Sequence, residues 1–180
     1  RCIMSDYLNT EQALAELVKI VGKVVHASTG LKAIYSGSKQ IPKPEGEFAM
    51  IDQPVVTPNS VWEDNYAEDD NCAVHTYNYR VTFPVTVYRG SNPAAKLSKV
   101  LHMLTLPKFY DRIFPDNSQF AYAYCTTVSS QRVPLNNQLY ENRATTLLTF
   151  NMCVVESDSE AFEILSKVGL DIFVTVAEKD

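Results

Sequence analysis

The stretch Leu135–Val155 reads LNNQLYENRATTLLTFNMCVV, a polar turn carrying Tyr140, Glu141 and Arg143 that runs straight into a long alternating strand. Successive side chains of a strand point to opposite faces. Thr146, Leu148, Phe150, Met152 and Val154 therefore share one face, and Thr145, Leu147, Thr149, Asn151 and Cys153 share the other. The polar turn in front supplies a charged start to an element that is otherwise half apolar.

Upstream, Cys72–Tyr88 alternates just as strongly. Tyr77, Tyr79, Val81, Phe83, Val85 and Val87 fall on one face, with Asn78, Arg80, Thr82, Thr86 and Tyr88 on the other. Before it, Phe48 to about Thr57 reads as a strand that Pro54 and Pro58 push to an edge, because proline cannot donate to a ladder. Between the two lies Asn59–Asn71, which holds Trp62 among Glu63, Asp64, Glu68, Asp69 and Asp70 and is expected to be the exposed tip of a long hairpin. Leu31–Gly46 reads as a strand fragment and then a loop, broken by Ser36–Lys39 and Ile41–Pro44.

Two segments carry the helical period instead. From about Thr10 to His26, Leu14, Leu17, Val18, Val21, Val24 and Val25 recur three and four apart. Asn9 or Thr10 caps the start, Glu11 suits the first turn, and Ser28-Thr29-Gly30 stops the helix. A second helix opens with Asn92 as cap and Pro93 in the first turn, where its missing N–H costs nothing, and buries Leu97, Val100, Leu101 and Leu104. Pro107 breaks or kinks it, and Phe109–Phe114 continues as a short helical turn. Further strands are expected over Phe120–Val128 and Leu170–Val176, with a short helix or wide loop over Asp158–Val168. The expected fold is α+β: one domain over residues 1–180, with a mainly antiparallel sheet, a long β-hairpin arm and two helices on one face.

Composition narrows the function classes. With 180 residues, 46% of them hydrophobic and 21% charged, the chain is long enough for one sizeable core and ordinary for a globular protein. The net charge is −5, from 16 basic and 21 acidic residues, and the lysines and arginines are scattered. That argues against a protein that grips nucleic acid, whose basic residues cluster; it suits one past which DNA slides. Cys2, Cys72, Cys125 and Cys153 form no close pair, so free thiols are expected rather than a disulfide framework or structural zinc. No signal peptide is evident, and no apolar run approaches the length of a bilayer span. Arg1–Ile3 precede Met4 and read as a remnant ahead of the start, or as part of a longer gene product.

Candidate chemistry is sparse. His26, His75 and His102 lie in different elements, and His75 near Cys72 within one strand is no signature of a nucleophile and its base. The acidic cluster lacks the spacing of a calcium loop. Phe120, Tyr122 and Tyr124 alternate as stacking residues on a nucleic-acid platform do, but without a basic stripe they suit a core or a protein interface better. Phosphate loops, dinucleotide glycine motifs, nucleophile elbows and paired-histidine zinc motifs are all missing. Glu141 and Arg143, two apart in a strand, share a face, where a pair at the surface is worth little.

The element order, with the Tyr140-Glu141-x-Arg143 start to the long strand, resembles the neck or tail terminator proteins of tailed bacteriophages. The resemblance implies a structural virion protein, not an enzyme, with no catalytic residue, cofactor or metal. It implies a homohexameric ring that caps the tail tube, meets the sheath protein where the tail contracts, and joins a head-side connector while DNA passes non-specifically. Its place would be the virion neck, and the host cytoplasm during assembly, with no membrane partner. The subunit-interface candidates are Trp62, Glu63, Asp64, Glu68, Asp69 and Asp70 on the hairpin tip, and Tyr140, Glu141 and Arg143, where Arg143 pairs with a carboxylate of its own or the adjacent subunit. The readings from other classes are a monomeric adaptor or binding module, and a small enzyme with a cleft at the sheet edge that uses Cys72 or the acidic tip.

Overall fold

Two long strands, β5 (Cys72–Tyr88) and β8 (Tyr140–Asp158), run antiparallel from Ala73 opposite Asp158 to Tyr88 opposite Arg143 and form the spine of the protein. The structure, a computed structural model, describes residues 8–37, 42, 44–59, 63–67, 72–135 and 139–158, the backbone alone at 63–67, 72–74 and 156–158. Each spine strand is flanked on its far side by shorter strands set end to end. Along β5 lie β2 (Phe48–Ile51), β3 (Val55–Pro58) and β4 (Glu63–Ala67). Along β8 lie β6 (Phe120–Cys125) and β7 (Ser129–Pro134). Beyond β2 sits β1 (Lys32–Tyr35), the one parallel pairing among the described residues.

The face expected to be apolar is the core. Val81, Phe83, Val85 and Val87 of β5 and Thr146, Leu148, Phe150, Met152 and Val154 of β8 are all buried. Phe150 is the hub, with Phe83, Phe114 and Tyr122 around it at 6.1, 6.0 and 5.8 Å between ring centroids. Such offset and edge-on arrangements add to area burial. The other face is polar but ordered, with the cross-strand hydroxyl pairs Thr82–Thr149 at 3.1 Å and Thr86–Thr145 at 3.0 Å.

The described helices all lie on the core face. Helix α1 (Thr10–Thr29) buries Ala13, Leu17, Val21, Val24 and Val25, and its valines rely on that packing. Asn9 caps it: its side chain accepts from the Gln12 N–H at 2.9 Å while the Gln12 side chain reaches back to the Asn9 N–H. Gly30, at φ 72°, closes the other end in the left-handed conformation that glycine adopts freely. Helix α2 (Pro93–Leu104) is capped by Asn92 and buries Leu97, Val100 and Leu104 between α1 and the spine. A third helix, α3 (Pro107–Ile113), occupies the expected helical turn and brings Phe109 and Phe114 into the core. The α+β class holds, with three helices among the described residues where two were expected.

Several element boundaries differ from the sequence reading. The strand expected over Phe48–Thr57 is split at Asp52–Pro54 into β2 and β3. The stretch read as hairpin tip contains β4, paired with the start of β5, so the arm is three strands wide with β8 alongside. Phe120, Tyr122 and Tyr124 do not share a face: the register against β8 shifts between Tyr122, opposite Phe150, and Tyr124, opposite Thr149. This bulge turns Tyr124 to the polar face, where it is 48% exposed beneath the Arg80 guanidinium. The expectations for Arg1–Ile3, Asp158–Val168 and Leu170–Val176 lie, Asp158 apart, outside the described residues.

Proline shapes both free edges. The Asn59 N–H donates to the Asn78 carbonyl at 2.8 Å, so by alternation the nitrogens of Thr57 and Val55 face β5 and those of Pro58 and Val56 face outward. Likewise the Leu135 N–H donates to the Leu139 carbonyl, which turns the nitrogen of Pro134 in β7 outward. Each edge thus lacks a donor where another strand would add.

Candidate functional site

Tyr140-Glu141-Asn142-Arg143 is held on two sides, by β7 through Pro134, Val133, Arg132 and Gln131, and by the end of β5 through Tyr88 opposite Arg143. Strand alternation puts Glu141 and Arg143 on the polar face of the sheet, away from the helices. There the carboxylate of Glu141, 7% exposed, is held from both sides. Arg143 Nε donates to Oε1 at 2.6 Å and Arg89 Nε to Oε2 at 3.1 Å. Arg89 also donates through Nη1 to the carbonyls of Pro44 and Glu45, which ties the preceding loop to the clamp.

Beneath the charges lies a small apolar cluster on the same face: Ile34, Phe48 and Tyr88, with Met50 packed against them. The Phe48 and Tyr88 rings are stacked at 4.9 Å and 3°. The Arg143 guanidinium lies 4.8 Å from the Tyr88 centroid and that of Arg89 lies 5.8 Å from Phe48, so both cations rest on aromatic faces. Arg89 adopts φ 65°, unusual for a side-chain-bearing residue and costing on the order of 1–3 kcal/mol. Its bonds to Glu141 and to two carbonyls hold it there.

The electrostatics follow from this geometry. Burial pushes the Glu141 carboxyl up, but hydrogen bonds from Arg143 and Arg89, with their charges, outweigh it and leave the group below the usual carboxylate range. Burial raises the Tyr88 phenol, and Arg143 opposes that only in part. Two guanidiniums around one carboxylate leave the clamp with one net positive charge. Beside it, Arg89, Glu141, Leu135 and Tyr140 line part of an open depression of about 260 Å³. There Arg89 engages Glu141, and Glu141 also engages Arg143, which ties the strand ends together.

The sequence reading brought Glu141 and Arg143 together and missed Arg89. The pair is therefore no simple surface pair: its anion is buried and shared with a third residue. The usable signal was the proximity of Arg89 to Tyr88, the last residue of the strand that aligns with β8. Tyr140 is 55% exposed, with the Arg132 guanidinium 4.5 Å from its ring centroid. Glu63 and Asp64 have their backbone in β4, opposite Thr76 and His75, whereas Trp62, Glu68, Asp69 and Asp70 lie outside the described residues. The backbone of Glu63 and Asp64 in β4 pairs with the end of β5 far from the clamp, so these two do not meet Tyr140, Glu141 and Arg143 within one subunit.

The remaining candidates are dispersed. His26 Nδ1 sits 2.8 Å from the Leu31 carbonyl at the end of α1, and His102 lies in the last turn of α2. Cys125 and Cys153 are free thiols, and burial raises the pKa of Cys153. Among the described residues no group of three or more His, Cys, Asp or Glu side chains is placed to hold a metal ion, and no helix is long and apolar enough to cross a membrane.

The described residues thus form one bulged sheet under a layer of helices, with a buttressed strand end where β5, β7 and β8 meet. The sequence profile of the family described as phage neck terminator protein matches residues 13–175, and the chain belongs to that family. It is thereby a structural component of the bacteriophage neck, located in the virion. No curated protein sequence matches the chain. Among solved structures, 13 chains match. One of them superposes with a TM-score of 0.39 at 18% identity, covering 80% of this chain and 96% of its own, a likeness too weak to bear on function.

Proposed function

We propose that the protein is a ring subunit, most simply of a homohexamer, that caps the tail tube at the phage neck and joins it to the head-side connector while leaving a passage for DNA. The observation that carries this reading is the family match over residues 13–175. The physics supports it in two ways. A spine of paired long strands, on the order of 55 Å by strand rise, buttressed at one end by the Arg89–Glu141–Arg143 clamp, suits a part that transmits load and does no chemistry. A net charge of −5 suits a passage through which DNA moves without being gripped.

The partners on this reading are neighbouring copies, the tail tube protein, the sheath protein if the tail contracts, and the connector. The acidic arm around Glu63, Asp64, Glu68, Asp69 and Asp70, with Trp62 as an aromatic anchor, contributes to contacts between subunits. Deleting 61–71 tests that contribution: a folded variant that makes an unchanged ring refutes it. The whole reading is tested by native mass over a range of concentrations and by binding to isolated tails that lack this protein. A closed ring, or stoichiometric capture at one tail end, is expected. A monomer that ignores such tails sinks the proposal.

A further inference from the structure

Beyond β2, β1 presents a further edge of the sheet, built differently from those of β3 and β7. No proline lies within Lys32–Tyr35. The Ser36 N–H donates to the Ile51 carbonyl at 2.9 Å, so by alternation Ile34 and Lys32 also turn their backbone groups towards β2. Ala33 and Tyr35 turn theirs outward. Leu31, the outward residue before them, is satisfied locally: its N–H donates to the Thr29 hydroxyl at 3.1 Å and its carbonyl lies 2.8 Å from His26 Nδ1. Ala33 and Tyr35 have no such outward partner among the described residues. Their N–H groups and carbonyls form the kind of row to which another strand adds.

Beside this edge runs an open groove of about 550 Å³, lined by Gly22, Lys23 and His26 of α1 and by Gly30, Lys32 and Ala33. Its glycines leave it wide: a Cβ at Gly22 or at Gly30 would meet nothing within 4 Å. The side chains of an incoming strand therefore have room. Lys23, His26 and Lys32 are all exposed, and no acidic side chain lines the groove. A second copy offering its own β1 would bring two sets of these lysines together, and like charges opposed across strands repel. An extended segment with acidic side chains fits instead.

We propose that the outer edge of β1 and the groove beside it receive an extended acidic segment of another virion protein, which adds to the sheet as a strand. Its backbone pairs with Ala33 and Tyr35. Alternate side chains enter the groove beside Ala33 and Gly22, and the others face the opposite side of the sheet, where the register places Lys32 in line with Phe48, Tyr88 and Arg143. Backbone pairing of this kind supplies affinity with little regard to sequence, and the side chains around it supply selectivity, here for negative charge. The source of the strand rests on the place of the chain in the neck, not on the subunits forming a ring.

The test uses the full chain with two synthetic peptides, one alternating valine with glutamate and the other valine with lysine. Amide hydrogen exchange is read at Ala33 and Tyr35. The glutamate peptide is expected to slow exchange at both amides and the lysine peptide at neither. Ala33→Pro removes one outward N–H, leaves the bonds of β1 to β2 in place, and should weaken the glutamate peptide about tenfold. Lys23→Glu with Lys32→Glu, both at exposed positions, should reverse the preference between the peptides; near-ultraviolet circular dichroism verifies the fold of each variant. A glutamate peptide that leaves exchange unchanged, or that binds the double variant as well as the wild type, overturns the assignment. In purified virions carrying a photo-crosslinking residue in place of Lys32, the cross-link is expected on an acidic segment of a different protein. A cross-link to a second copy of this chain, or none, overturns the choice of partner and leaves the ring reading standing. Absence of the chain from the virions would sink both.

Discussion

Replacing Glu141 by glutamine tests whether the clamp stabilises the fold. The amide has the shape of the carboxylate but offers one acceptor where there were two. Either Arg143 Nε, now at 2.6 Å, or Arg89 Nε, at 3.1 Å, then faces an NH₂ group. Hydrogen bonds to charged groups contribute roughly 1.5–3 kcal/mol each. The two guanidinium side chains are 29% and 37% exposed and can recover some hydration, which discounts the loss. A destabilisation of about 2 kcal/mol remains. At roughly 2–4 °C per kcal/mol for a chain of this size, Tm falls by about 4–8 °C. Urea and thermal melts at neutral pH measure it, with Arg89→Gln and the double variant completing the cycle. The pH dependence has a definite sign. Because the folded carboxyl lies below its unfolded value, its contribution is present above the ordinary carboxylate pKa of about 4.3 and fades as pH falls through the lower folded value. Wild type and variant therefore converge in acid. A difference under about 0.5 kcal/mol at neutral pH, or one that does not shrink in acid, refutes the reasoning.

Gly90→Ala places a side chain at φ 80° and against the Glu47 carboxylate that pairs with Lys96; a loss of about 1–2 kcal/mol, read in the same melts, is expected. Thr149→Val leaves the Thr82 hydroxyl without its cross-strand partner and should cost about 1 kcal/mol, whereas Thr82→Val with Thr149→Val should recover much of it; equal losses in both would count against the pair. Cys153, half-buried and with its thiol pKa raised, should react with a thiol reagent at pH 8 more slowly than a free cysteine and should speed up as the pH is raised further. A rate matching free cysteine would remove that prediction.

The sequence carried the fold where one face is buried and the other is not. Phe83, Val85, Leu148 and Phe150 announce their strands because period-two burial leaves a period-two pattern. Asn9, Asn92, Pro93 and Gly30 mark helix ends by local chemistry that needs no tertiary context. What escaped lacks those signals. The strand β7, Ser129–Pro134, is exposed along nearly its whole length, so its side chains carry no alternation. The bulge after Tyr122 appears only in the register of β6 against β8, and the alternation of Phe120, Tyr122 and Tyr124 in the sequence does not mark it. Arg89 joins the clamp only because pairing over 52 positions brings it to Glu141, and a separation of that kind leaves no trace in local spacing. Glu141 and Arg143, two apart in one strand, were legible for the opposite reason.

The spine also sets an order of folding. Its strands are far apart in sequence: 55 residues separate Tyr88 from Arg143 at the clamped end, and 85 separate Ala73 from Asp158 at the other. Closing the shorter loop is favoured by only about 0.4 kcal/mol on the logarithmic length law, but that end also gains the Arg89–Glu141–Arg143 clamp at once. Pairing should therefore start beside Arg89 and zip outward, so the acidic arm is completed last. A topology with contacts this distant folds slowly. During that interval the core-facing side of the spine is still bare, and the new subunit is most exposed to aggregation before its sheet is complete.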